Sequence, residues 1–565
     1  MPCPPGTNSQ RHKARWLNRL PLPLMILIIV AASCLNFGFA DEASRDRRYR
    51  LLGERRQEIL DSLRLELESA RTWGLQRGLA EAAAEIETSL STGGLCTELP
   101  RNVRPEATPG LSPGSALLEQ KLKTIREEHA SRLYSLARSA LRTDFPSLAF
   151  SMVEEVARID TDHRLARSIL GQQIFVDPAR RTEPGYAGEW ISDFEKRMRS
   201  GSSPSVDHPS FGWIPAAAVT RYEQGLRPWR SDWISSEREQ ELRRDFRNAW
   251  EIPSENFLVR TNVGLEQGVQ LSRRLELFHA WFRQHFAAFF ETPSEMQDRF
   301  ERTVQSASSS RRRPLEVHYF ASREEYQTRM QGKVPPGIET NGLYWQPDRT
   351  CYFFDDPDSS DYSTMYHEAT HQILDVATLD ARRAASRALA LKMRSRRVDD
   401  WVLCRQSNFW IIEGLACYFE SFTVDDEGEI TVGDPGWIRF NTARQRLLDP
   451  AVHFYLPARQ FFGLGMEEFQ THPQISPLYS QASGFAHFLM HYEDGLYRDQ
   501  LTRFLAEIYR PDGQRVLEEP SFSRIADVSW EALDQQYHEH MRNLEDALLA
   551  RERASLRDPT IPASQ

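Results

Sequence analysis

Ser363-Thr-Met-Tyr-His-Glu-Ala-Thr-His-Gln-Ile-Leu-Asp-Val-Ala377 decides how the rest of the chain is read. His367 and His371 stand four residues apart, and Glu368 follows the first. On a helix, residues at i and i+4 share a face, so two imidazoles one turn apart converge on a single metal ion. The adjacent carboxylate then reaches a water on that ion. Met365, Ala369, Ile373, Leu374 and Ala377 form an apolar stripe, and Asp361 or Ser363 can cap the start, so a helix is expected here.

A second stretch, Asn408-Phe-Trp-Ile-Ile-Glu-Gly-Leu-Ala-Cys-Tyr-Phe-Glu420, completes the set. A catalytic zinc takes three protein ligands and keeps one position open. Two histidines supply two, and Glu413, early in a second expected helix capped by Asn408, supplies the third for one Zn2+. The assignment requires Glu413 within about 6 Å of at least one imidazole; coordination itself reaches only ~2 Å. A ligand histidine also needs a partner on its other ring nitrogen. Glu420, two turns after Glu413, or Asp375, one turn after His371, can fill that role.

Trp410-Ile-Ile-Glu-Gly-Leu-Ala416 resembles the Trp-x-x-Glu-Gly-x-Ala signature of gluzincin metallopeptidases, the clan of thermolysin and the zinc aminopeptidases. The span from about Asn256 to Leu544 further resembles an uncharacterised family of bacterial secreted proteins assigned to that clan by motif. The matching segments are Asn256–Asn262, Leu315–Phe320, Gly342–Phe354, the His-Glu-x-x-His helix and Tyr479-Ser-Gln-Ala482. The resemblance implies a zincin-like domain with Glu413 as third ligand and Glu368 as general base. It also implies an oxyanion donor on a helix beyond Glu413, with Tyr479 the candidate and His487 and His491 behind it. Many clan members carry Asp four residues after the ligand glutamate, whereas this chain has Cys417. Cys417 is therefore read as a small buried side chain near the site, and the partner of the histidine stays open between Glu420 and Asp375. Clan members pair extended substrate with a strand beside the cleft, and the hairpin expected at 341–354, turning at Gln346-Pro-Asp-Arg349, is similar.

The 565 residues are too many for one ordinary core. Composition, 40% hydrophobic and 27% charged, is that of a globular protein. Residues 1–40 hold Arg11, Lys13, Arg15 and Arg19 and no acid, which leaves 66 basic against 80 acidic residues in the remainder. That acidic balance gives no reason to expect nucleic acid as a partner. The basic start, the apolar run Leu24–Ala32 and Gly38-Phe-Ala40 read as a signal peptide cleaved near Ala40, with export to the periplasm, cell surface or medium. The alternative is an anchor left in the membrane. Four cysteines remain beyond the signal, Cys96, Cys351, Cys404 and Cys417, too few for a disulfide scaffold and compatible with one pair.

The expected fold class is α+β. Residues 41–170 read as a helical module, a tetratricopeptide-like pair or a plain bundle, interrupted by a Pro-rich linker at 97–115. Residues 171–255 read as an aromatic-rich connector, irregular over 171–210. A mixed sheet with helices follows over 256–550, then a tail at 551–565. The arginine-rich segment Asp380–Arg397 reads as a solvated face, or as an attractor of acidic substrate. The function expected is a secreted zinc metallopeptidase acting on peptide or protein substrates. A weakly active or inactive peptidase-fold scaffold, holding a protein partner through the helical module, is the alternative, and the same ligands also serve hydrolysis of a non-peptide bond.

Overall fold

The computed structural model describes residues 22–95, 99–105, 110–301, 313–334, 340–356, 362–392, 403–425, 429–510 and 519–557. Within them the chain is a mixed α+β protein. The N-terminal half of the signal segment, Cys96, Asp361 and the end of the arginine-rich insert fall outside these residues. No helix among the described residues is long and apolar enough to cross a membrane.

Helices α1 (Leu22–Leu75), α2 (Ala80–Ser91), α3 (Pro113–Arg142), α4 (Pro146–Ile159) and α5 (Arg164–Ile169) form the N-terminal module. Ser112 caps α3 by accepting from the Ser115 N–H, and Pro113 occupies the first helical position, where no N–H is needed. Asp144 takes a left-handed φ of 73° between α3 and α4, and Leu133, Ala137 and Ala140 meet Ala149, Phe150 and Val153 in one apolar core. That core also takes in Phe300 and Leu496 from later in the chain. The Ser147 N–H donates to buried Asp499 at 2.9 Å, and the Tyr49 hydroxyl donates to the Asp494 carbonyl at 2.8 Å. The module is thus welded to the rest of the molecule.

Residues 171–210, expected to be irregular, instead carry strands. Three hairpins follow one another: β1 (Gln172–Phe175) with β2 (Glu189–Ser192), β3 (Ser205–His208) with β4 (Gly212–Pro215), and β5 (Leu226–Trp229) with β6 (Asp232–Ser235). Each ends in Trp-Ile-Ser or Trp-Ile-Pro, and each is followed by a short helix: α6 (Asp193–Arg199), α7 (Val219–Glu223) and α8 (Ser236–Arg243). Ser192 and Ser235 cap α6 and α8. Four-residue strands are too short for a period of two to register, which is why pattern alone missed them. Aromatic contacts chain the units, Phe194 to Trp213 at 5.7 Å and Tyr222 to Trp233 at 6.0 Å.

The central sheet begins at β7 (Trp250–Pro253), earlier than the expected boundary at 256, and continues with β8 (Phe257–Thr261). After α9 (Leu265–His285), α10 (Ala287–Phe290) and α11 (Pro293–Glu301) come β9 (Leu315–Phe320), α12 (Arg323–Met330), β10 (Gly342–Trp345) and β11 (Thr350–Phe354). Strand order is β10-β11-β9-β8-β7, so β10 is an edge. β9 runs parallel to both neighbours, and the outer pairs are antiparallel. Helix α9 ends at Phe286, which stacks on Phe282 at 4.7 Å, and α10 starts anew at Ala287.

The C-terminal part is helical: α13 (Ser363–Lys392) and α14 (Phe409–Phe419), the small hairpin β12 (Thr423–Val424) with β13 (Ile430–Thr431), then α15 (Ile438–Leu448), α16 (Ala458–Phe462), α17 (Met466–Gln470), α18 (Ile475–His491), α19 (Arg498–Tyr509), α20 (Phe522–Ala526) and α21 (Trp530–Arg557). Helix α13 lies on the sheet beside β10 and β11, and α14 is sandwiched between α13 and α18. Asn408 stands at the N-cap of α14 in a left-handed conformation, but its side chain donates to the Pro520 carbonyl instead of capping.

Below the α14–α18 layer, His487 Nδ1 lies 3.0 Å from His540 Nε2, and His491 Nε2 lies 2.9 Å from the Tyr418 hydroxyl. Burial holds all three imidazoles neutral, His491 pulled down to about 3 and His540 to about 4. The unfolded chain takes up these protons near pH 6.5, whereas the folded chain does so only near 4 or below. Stability is therefore expected to fall as pH drops from about 6.5 towards 4. Urea midpoints of chelator-treated protein across that interval measure it, and His540→Gln should flatten the slope.

Candidate metal centre

Helix α13 presents His367 and His371 on the face turned towards α14, and the ring centroids are 5.0 Å apart. Helix α14 contributes Glu413, whose Oε2 lies 3.7 Å from His367 Nε2. One donor atom from each of His367, His371 and Glu413 falls within 4.8 Å of the others. Two donors on one zinc ion stand at most about 4 Å apart, so the three side chains are close enough to turn onto a shared ion. The His367 and Glu413 side chains keep 15% and 14% exposure, so the cluster is not sealed from solvent. Two imidazoles and one carboxylate that are not sealed from solvent fit a catalytic zinc site.

The approach of α14 to its neighbours depends on Gly414. A methyl group there would stand 2.6 Å from the Ala482 carbonyl oxygen of α18. Without a side chain at 414 the two helices close up, and Tyr479 of α18 comes near enough to the Glu413 carboxylate to favour its ionised form. The physical content of Glu-Gly in the motif is this contact: one residue carries the donor, and the next lets the helix behind it come near. Burial and the Glu413 carboxylate keep Tyr479 protonated, so it remains an O–H donor.

Around the cluster the charges are arranged in a chain. His367 Nδ1 meets Glu420 Oε1 at 3.0 Å, and Arg439 of α15 holds both Glu420 oxygens at 2.8 and 3.0 Å. Burial opposes the charge on His367, but bonds to Cys417, Glu413 and Glu420 outweigh it and raise its pKa. Burial likewise opposes ionisation of Glu413, and His367 and His371 reverse the effect and lower it. A cation entering the site therefore competes with a proton on His367. Burial pushes the Cys417 thiol up, and the Arg439 guanidinium already occupies the Glu420 carboxylate. The trio His367, Cys417 and Glu420 is compact enough for an ion, but these two features make it a support for His367.

Three sequence-based expectations fail. Asp375 does not orient an imidazole; it accepts from the Tyr344 hydroxyl at 2.7 Å and from Gln346 Nε2 at 3.0 Å, and it pairs with buried Arg382. The charge on Asp375 is drawn away by the hairpin, and Arg382 leaves the solvated face assigned to the arginine-rich insert. His487 and His491 lie in the buried histidine cluster and do not reach the site as donors. Two residues escaped sequence reasoning: Arg439, which no spacing connects to Glu420, and Tyr344, whose N–H donates to Glu368 Oε2 at 2.7 Å. Cys351, Cys404 and Cys417 are free and buried.

Compared with family models, with curated proteins and with solved structures, the chain matches none.

Replacing Glu420 by Ala should weaken zinc affinity about 10–100-fold, read by competition with a chromogenic chelator. Gly414→Ala should cost about 1–3 kcal/mol in denaturant unfolding, because the intruding methyl meets backbone and not a mobile side chain.

Proposed function

We propose that the chain is an exported zinc metallopeptidase whose zincin-like domain spans the sheet and the C-terminal helices. The single observation that carries this is the meeting of His367, His371 and Glu413 at a point not sealed from solvent, with the Glu368 carboxylate on the same helix and an edge strand alongside. His367, His371 and Glu413 would hold one zinc ion, which would supply a Lewis acid to lower the pKa of a water and polarise a peptide carbonyl. Glu368 takes the proton of the attacking water and returns it to the leaving amine. Tyr479 offers its O–H to the developing oxyanion. Glu420, fixed by Arg439, holds His367 in one ring orientation through Nδ1.

The N-terminal helices, with α3 and α4 as a tetratricopeptide-type pair, form the proposed surface for a protein partner. Cleavage after Ala40 would leave Tyr49 and Arg50 attached to the turn at Glu493 and Asp494.

Purified mature protein digested with a peptide library, with and without chelator, tests the assignment. Glu368→Gln should lower the cleavage rate about 100-fold or more while the zinc content stays at one per chain. A wild-type protein loaded with zinc that cleaves no peptide would overturn it.

A further inference from the structure

Glu368 and Asp375 stand seven residues apart on α13, two turns along one face. One residue touches both. Tyr344 gives its backbone N–H to Glu368 Oε2 and its phenol to Asp375 Oδ2, each at 2.7 Å. It belongs to β10, the sheet edge, where an N–H that points away from the sheet has no strand partner. The Glu368 carboxylate takes that place.

Asp375 is itself tightly held. Gln346 donates to its other oxygen at 3.0 Å, the Arg382 guanidinium pairs with it, and Asp375 and Arg382 are only 6% and 8% exposed. Further contacts tie the hairpin to α13. The Cys351 thiol faces the Glu368 carbonyl at 3.5 Å, and Gly342 approaches so closely that a methyl there would stand 2.6 Å from Thr364 Cγ2. The hairpin is therefore strapped along two turns of the helix that carries both histidines.

We propose that Tyr344 and Asp375 are a positioning pair for Glu368. Asp375 anchors the phenol, the phenol sets where β10 lies along α13, and the strand N–H fixes one oxygen of Glu368 so that the other faces the reacting water. A carboxylate has about four acceptor sites, so one N–H leaves room for that proton. A base held by one fixed donor loses rate when the donor drifts, because proton transfer depends on sub-ångström placement. The catalytic half of this rests on the proposed peptidase activity; the strap itself does not.

Tyr344→Phe keeps the ring and the backbone N–H and removes only the anchor. In the zinc-loaded full chain, kcat should fall about tenfold with KM within about twofold and zinc content unchanged. Hydrogen exchange over 342–346 should speed up about tenfold while 257–261 and 315–320 keep their rates. Should that variant be insoluble, Gln346→Ala, which removes one exposed donor to Asp375, should show the same pattern at about threefold. Unchanged exchange overturns the strap. Faster exchange with unchanged kcat, or a kcat loss accompanied by zinc loss, overturns the positioning role. If the wild type cleaves no peptide, the peptidase assignment falls by itself, and the exchange rates still decide whether Asp375 anchors the strand.

Discussion

One carboxylate held between two imidazoles sets the terms for the whole C-terminal half. Glu413 sits on α14 and its partners on α13, so the two helices must cross with their polar faces inward. A poorly solvated charge without a partner costs several kcal/mol, which makes such a crossing tenable only when every neighbour supplies a donor or a counter-charge. Tyr479, His367 and His371 do so for Glu413; Arg439 and His367 do so for Glu420.

Apolar packing makes that polar crossing rigid. Trp410 and Phe419 of α14 are fully buried among Phe278, Phe282, Phe462 and Phe485. Gly414 and Gly484 remove side chains where α14 meets α18 and where α18 meets α15 and α21. Small residues at helix crossings shorten the distance between axes, and here the shortening brings Tyr479 towards the Glu413 carboxylate. The N-terminal module adds a second clamp. Arg50 and Tyr49 hold the turn after α18, where Glu493 and Asp494 adopt left-handed backbone. Strain at such positions of non-glycine residues persists only when neighbours fix it. The module is thus part of the support of α18, the helix that carries Tyr479.

Much of this was legible in the sequence. The spacing of His367 and His371, the apolar stripe around them and the hairpin turning at Gln346-Pro-Asp-Arg349 all follow from short-range periodicity and turn chemistry, and the observed elements agree. The connector was misread because its strands are four residues long, although Trp190-Ile-Ser, Trp213-Ile-Pro and Trp233-Ile-Ser repeat in plain sight. Of the two acids offered as partners of an imidazole, Asp375 stands at the right distance along α13 from His371, but the phenol and amide that claim it come from a hairpin some thirty residues earlier.

By itself, the sequence determined which side chains share a face: the two histidines and the acid beside them, and Glu413 with Glu420 two turns later. Those relations are fixed by 3.6 residues per turn and need no partner. Only the tertiary structure decided which faces meet. Glu420 rather than Asp375 reached His367, Arg439 came to hold it, and an edge-strand N–H came to rest on Glu368. Helix geometry is local and survives any packing. The choice of partner across a crossing depends on glycine gaps, strand order and buried charge together, and no spacing along the chain records it.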